Sequence, residues 1–305
     1  MTPSETHDQG PFNPEFDDAI WNDAAIHHPL VQVPTGDYPN GYRVMRWLLR
    51  SASVFGRSYH LVKPMDCRAL HMPDGTLWMS DVPQERMMMH ANAMQARGTV
   101  LVGGLGLAMF PQYVTEDVQH LTIVEQSETV IGIVGSVLAE VSVGRAIPVT
   151  VVQMSIEACL AAAPAATYDT VFLDTWERLD PLLLPQVNML RDAASRVARS
   201  DGVVLLWGYH WMVRMFIDAC LPLIHTKPEL RRTWLQNVLT VNPAPGPLLS
   251  ALLHRLETCV DASHQHLLDH CKRFAQSVLP EDLMDSGPVS SPSTCSTVPS
   301  IEPPH

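Results

Sequence analysis

What this sequence lacks narrows its function first. It has no uninterrupted apolar run of about 18 residues, the length a membrane-crossing helix needs, so no membrane span is expected. It is poor in basic residues. Lys plus Arg number 20 against 32 Asp plus Glu, a formal net charge of −12. A general nucleic-acid binder needs a basic face to neutralise phosphates, so that class is disfavoured. Paired cysteines are missing too. The six cysteines, at 67, 159, 220, 259, 271 and 295, are scattered, and none makes a CxxC pair. Reduced thiols in a cytoplasmic setting are the simplest reading. The first ten residues are polar and acidic and lack the basic opening and apolar stretch of a secretory signal. There is no internal repeat. No serine carries the flanking glycines of a nucleophile elbow, so a hydrolase triad is unsupported. His266 and His270 stand four apart beside Asp269, but no third ligand is implied, and no metal site is expected.

What is present begins with bulk. The chain has 305 residues and 46% hydrophobic content, enough for a substantial core in one large domain with appendages. Residues 1–41 hold six prolines and several acids and read as an irregular arm. Residues 42–97 read as a β-hairpin and helix region. A strand is expected over Tyr59–Leu70, a tight turn at Asp74-Gly75, and a returning strand at Leu77-Trp78-Met79, because Asp-Gly supplies the positive φ such turns require. Ser80 or Asp81 is expected to cap a helix running over Val82–Ala96, with Pro83 in its first turn.

From residue 98 to 208 short apolar runs alternate with helical patterns. Strands are expected at Thr99–Val102, Leu121–Val124, Val149–Val152, Thr170–Leu173 and Gly202–Trp207. Helices are expected at Leu107–Val118, Ser127–Val141, Ser155–Ala162 and near residues 183–197. Val130, Val134, Val137 and Val141 fall on one helical face. Such alternation implies crossovers and a parallel sheet buried on both faces. The expected fold is therefore α/β: a Rossmann-like, doubly wound, mainly parallel sheet. A small N-terminal β-hairpin region precedes it, and a helical C-terminal extension over residues 209–285 follows, with helices at Arg231–Val241 and Leu248–Gln276. The last 20 residues, 286–305, contain 13 Ser, Thr or Pro and are expected to be disordered.

Three segments carry chemistry. In Val100-Leu101-Val102-Gly103-Gly104-Leu105-Gly106 an apolar strand meets a glycine-rich turn before a helix. Glycines at 103, 104 and 106 let the chain turn sharply and let a ligand approach the backbone. Glu125 closes the next strand, 22 residues after Gly103. An acid there can accept hydrogen bonds from both hydroxyls of a ribose; it can also simply favour a helix N-terminus. Asp174 ends the fourth apolar strand at the sheet edge, where it can orient or deprotonate an amine or merely cap a loop. Trp176 can stack on a flat ligand or cover the sheet edge. After the third strand, Gln153 and Ser155 can meet an adenine amine, with Ser155 equally suited to cap the next helix. Met87-Met88-Met89 reads as helix core.

With these residues the chain resembles the class I S-adenosylmethionine-dependent methyltransferase superfamily over residues 98–208, about a third of its length. Val102-Gly103-Gly104-Leu105-Gly106 resembles that family's first motif. Glu125 matches its acidic ribose position, and Asp174 its fourth-strand acid. Upstream, Asp74-Gly75 through Trp78-Met79-Ser80-Asp81, with Glu85 soon after, resembles the spermidine-synthase-like branch. That branch ends its fourth strand in Asp-x-x-Asp; here the segment reads Asp174-Thr175-Trp176-Glu177. A glutamine expected upstream is absent, with Trp78-Met79 in its region.

The resemblance implies a transferase, a methyltransferase-like enzyme of unknown acceptor. Gly103, Gly104, Gly106, Glu125, Gln153 and Ser155 would bind S-adenosylmethionine, or its decarboxylated form. Asp174 would act at the reaction edge. An aminopropyltransferase is the alternative, with Asp81, Trp176 and Glu177 on the substrate. A non-catalytic interaction module on the same fold is the other. A small-molecule substrate is expected, and a homodimer is left open. A nicotinamide dehydrogenase fits less well, because the third fingerprint position holds Met109 and there is no second mononucleotide half.

Overall fold

A computed structural model describes residues 24–54, 57–257 and 262–284. Most of the expected N-terminal arm and the whole of the expected tail lie outside the described residues. The described chain divides into two compact units. One holds the residues up to Pro181 together with Val187–Val213; the other holds Leu182–Gln186 and the residues from Arg214 onward.

Among the described residues the first unit holds a short helix, α1 (Ala24–His27), and then a four-stranded antiparallel sheet ordered β1-β2-β3-β4. Its strands are β1 (Gly36–Asp37), β2 (Arg43–Val54), β3 (Arg57–His71) and β4 (Leu77–Ser80). In β3, Met65, Cys67 and Ala69 are buried while Asp66 and Arg68 between them are not, the period-two pattern of a one-sided sheet. The turn between β3 and β4 forms at Asp74-Gly75. Gly75 takes φ +83, and Met72 N–H donates to Thr76 O at 2.9 Å. Strand β2 lay inside the expected hairpin region but had no separate signal. Val44 is buried whereas Met45 and Leu48 are about half exposed, so its apolar residues fall on both faces and carry no alternation. Its partner defines it, through pairs such as Val44↔Leu70 and Trp47↔Cys67.

Helix α2 runs Pro83–Ala93, shorter than the expected 82–96, with Val82 at its N-cap and no side-chain cap. Neither Ser80 nor Asp81 caps it. Asp81 is instead 2% exposed and forms a buried ion pair with Arg86, Nη2 to Oδ2 at 2.7 Å. Arg86 also donates to the carbonyls of Asp81, Ile26 and Asp66, which spends a charge that burial would otherwise leave costly.

The second sheet is all parallel, ordered β7-β6-β5-β8-β9. Its strands are β5 (Gly98–Gly103), β6 (Val118–Glu125), β7 (Val149–Gln153), β8 (Tyr168–Leu173) and β9 (Ala198–Leu206), with helices α3 (Met109–Tyr113), α4 (Glu128–Arg145), α5 (Ile156–Ala162) and α6 (Leu184–Val197) between them. This is the doubly wound Rossmann-like arrangement. Alternate side chains feed two cores. Val100, Val102, Leu121, Ile123 and Phe172 join the core with Val130, Val134 and Val137 of α4. Leu101, Val124, Val171 and Leu173 join the other, with Leu160, Leu190 and Ala194. Both faces being dry is why these strands read as continuous apolar runs. The helix expected over 107–118 is only Met109–Tyr113. Ala108 takes a left-handed φ of 55 and prevents an earlier start, and Val114 leaves helical geometry.

The second unit is helical. It includes most of α7 (Tyr209–His225), then α8 (Arg231–Val241), α9 (Gly246–Glu257), α10 (His264–Ser277) and α11 (Pro280–Met284). The single helix expected over 248–276 is two, α10 starting anew where Ser263 accepts from His266 N–H at 3.3 Å. Leu252, Leu256, Cys271 and Phe274 are buried there. No described helix is long and apolar enough to cross a membrane.

Candidate active-site cleft

In a sheet of this order the chain winds outward from β5 in both directions, so a crevice opens beyond the carboxyl ends of β5 and β8. The glycine turn lies there. Asp174 N–H donates to Gly103 O at 2.8 Å and Gly104 N–H to Val124 O at 2.9 Å, which ties three strand ends together. Gly104 takes φ +89, and a Cβ on it would run into the Asp174 carbonyl oxygen. Gly106, at φ +58, has room only to Met79 Sδ, 3.2 Å from a built Cβ. No side chain fits either position without strain. Gly103 serves packing instead. A Cβ there would stand 2.8 Å from Ile156 Cγ1, and Gly103 does not line the cleft.

Glu125 reaches across from the end of β6. Its Oε2 accepts from Leu105 N–H at 3.2 Å and its Oε1 from Ser127 N–H at 2.8 Å. The carboxylate therefore joins the glycine turn to the start of α4. Each oxygen keeps a lone pair, so a diol can still donate to it. Gly104 and Glu125 sit side by side in an open cleft, together with Gly106, Ser155, Asp174, Trp176 and Glu177. Ser155 caps α5, its hydroxyl accepting from Ala158 N–H at 3.2 Å. Gln153 is exposed at the end of β7 and does not line the cleft. Asp81 does not line it either; its carboxylate is spent on Arg86 and on Arg68 N–H.

Trp78, Met79, Glu85, Met89 and Trp207 also line the cleft. In the sequence Trp78, Met79 and Glu85 belong to the segment that resembles the spermidine-synthase-like branch, but no site role was assigned to them. Glu85 sits in the first turn of α2, where an acid ordinarily serves the helix dipole. Here its Oε2 accepts from Trp207 Nε1 at 3.0 Å. Burial pushes its carboxyl up to about 7, against the lowering effect of that indole N–H. Burial, and then the Glu85 charge, hold Asp174 well above the usual carboxylate range. The Trp176 indole N–H is buried without a partner, and the Trp176 and Trp207 rings lie 6.5 Å apart, tilted by 51°.

The cleft is about 250 Å³. Five acids line it, Glu85, Glu125, Glu157, Asp174 and Glu177, and among the described residues no Lys, Arg or His does. Its field therefore favours cations and opposes phosphates.

No protein-family model matches the chain, and no curated protein matches it. Solved structures do align with it. The YcgJ protein of Bacillus subtilis is 19% identical, covering 39% of this chain and 47% of its own, with TM-score 0.30. A precorrin-6y C5,15-methyltransferase from Geobacter metallireducens is 18% identical, over 41% and 62%, with TM-score 0.30. Spermidine synthase from Thermotoga maritima is 12% identical, over 62% and 72%, with TM-score 0.34. The aligned part thus spans about half to three-fifths of the first two.

Proposed function

We propose that this chain is an S-adenosylmethionine-dependent methyltransferase-like enzyme. The observation that carries the reading is the union of two features in one cleft. Glu125 is held against the glycine turn by its bond to Leu105 N–H, and the surrounding wall is acidic with no basic side chain. Unspent lone pairs on Glu125 suit a ribose diol. Gly104 and Gly106 line the cleft beside it. The acidic lining suits a cationic sulfonium and disfavours the pyrophosphate of a dinucleotide, which would bring like charge into the site.

When bound, the cofactor supplies a methyl group that already carries a good leaving group. The chain's own task is to align an acceptor and keep water out. Trp78, Trp176 and Trp207 form apolar walls for that purpose, and Asp174, at the carboxyl end of β8, faces the acceptor. The reading is tested by calorimetry with S-adenosylhomocysteine. Saturable binding that Glu125→Ala weakens at least tenfold supports it; absence of both heat and thermal shift overturns it. An aminopropyltransferase is favoured only by the paired acids Glu85 and Asp174. Product analysis with decarboxylated S-adenosylmethionine and putrescine distinguishes the two.

A further inference from the structure

The nucleoside side of the cleft accounts for Gly104, Gly106 and Glu125. It leaves other groups of the same cleft unexplained. There, two carboxyl groups from distant parts of the chain share one cavity, Glu85 from α2 and Asp174 from the end of β8. Glu85 spends Oε2 on Trp207 Nε1, which fixes the carboxyl in place. Among the described residues no protein donor reaches its Oε1 or either oxygen of Asp174. The nearest guanidinium in sequence, Arg86, is committed to Asp81. Glu177 adds a third acid at the rim, and no basic side chain answers them. Both groups are partly exposed to the cleft, and like charges in one cavity disfavour joint ionisation unless a cation joins them.

The walls around this pair are aromatic. Trp78 and Trp176 are half-buried and present ring surface to the cleft, and the Trp176 indole N–H has no partner. Leu77, 53% exposed, also lines the cleft.

We propose that the acceptor subsite binds a monoamine carried on an aromatic frame, its cationic nitrogen between Glu85 and Asp174 and its ring against Trp78 and Trp176. This rests on the methyltransferase-like reading. A ring over an indole face adds stacking to burial, and the single acid pair anchors one charged nitrogen. A linear diamine has no ring to lay against these indoles. The raised affinity of Glu85 and Asp174 for protons gives the subsite a signature: a cation that arrives between them drives protons off.

The test uses the full chain saturated with S-adenosylhomocysteine, titrated calorimetrically at pH 7 with 2-phenylethylamine, 2-phenylethanol and putrescine. The amine is expected to bind at least tenfold more tightly than the neutral alcohol and the diamine. Its heat is expected to vary with the buffer's ionisation enthalpy, which reads proton release. Glu85→Gln is expected to lower amine affinity at least tenfold and reduce that release, with S-adenosylhomocysteine affinity within twofold of the parent as the folding control. Trp78→Ala is expected to weaken the amine. Equal binding of the alcohol, tighter binding of putrescine, or an unchanged Glu85→Gln overturns the proposal. So does failure of the amine to bind while S-adenosylhomocysteine binds. Failure of S-adenosylhomocysteine itself removes the methyltransferase reading first.

Discussion

Replacing Glu85 by Gln tests the electrostatics of the cleft without any ligand. Gln keeps an oxygen to accept from Trp207 Nε1 and removes only the titration. The Glu85 carboxyl is held at about 7 in the folded chain, against an ordinary 4.5. Below about pH 4.5 it is protonated whether the chain is folded or not, and stability is at its fullest. As pH rises, the unfolded chain releases the proton first, so folding loses stability until the folded carboxyl ionises near 7. That gap corresponds to an upper limit of about 3 kcal/mol, or roughly 10 °C in melting temperature for a unit of this size. The assay is a thermal melt series from pH 5 to pH 8 on both proteins. The parent is expected to lose melting temperature across that window, and Glu85→Gln to lose much less. Asp174 is raised in the same direction, so a smaller slope remains in the variant. Parallel profiles for the two proteins, or a parent that gains stability toward pH 8, would refute the reasoning.

Other consequences are equally direct. Gly104→Ala forces a Cβ into the Asp174 carbonyl at φ +89; a loss of about 1–3 kcal/mol is expected from the strain, with S-adenosylhomocysteine binding abolished in calorimetry. Glu125→Gln turns one carboxylate oxygen into a donor facing either Leu105 or Ser127 N–H. About 1–3 kcal/mol of stability is expected to go with the unsatisfied group, read by chemical denaturation. Arg86→Ala strands Asp81 as a buried charge. A cost of about 3–5 kcal/mol is expected, seen as a lower denaturation midpoint.

The two halves of the site were legible to different degrees. Gly104, Gly106, Glu125 and Asp174 stand on a strand end or the turn after one, where an apolar run stops and a polar or glycine residue follows; that local pattern is visible in one dimension. Trp176 and Glu177 follow directly and came along. Asp81 was misplaced for a physical reason. An exposed-looking acid before a helix reads as a cap or a ligand, and only the folded chain brings Arg86 onto it. Glu85 was named in the resemblance but given no site role, since an acid in a first helical turn has an ordinary explanation.

The doubly wound sheet was written in the chain itself. Short β-rich runs buried on both faces must be largely apolar, and the helices between them must carry an apolar stripe, so the alternation declares the architecture before any contact is made. Positive-φ turns likewise favour glycine, as at Gly75 and Gly104. What only folding decided was which distant groups share a cavity. Trp207 and Glu85 lie 122 residues apart, and nothing local records that the indole of one holds the carboxyl of the other. Their protonation follows from that meeting, because desolvation and a neighbouring charge exist only once the walls have closed around them.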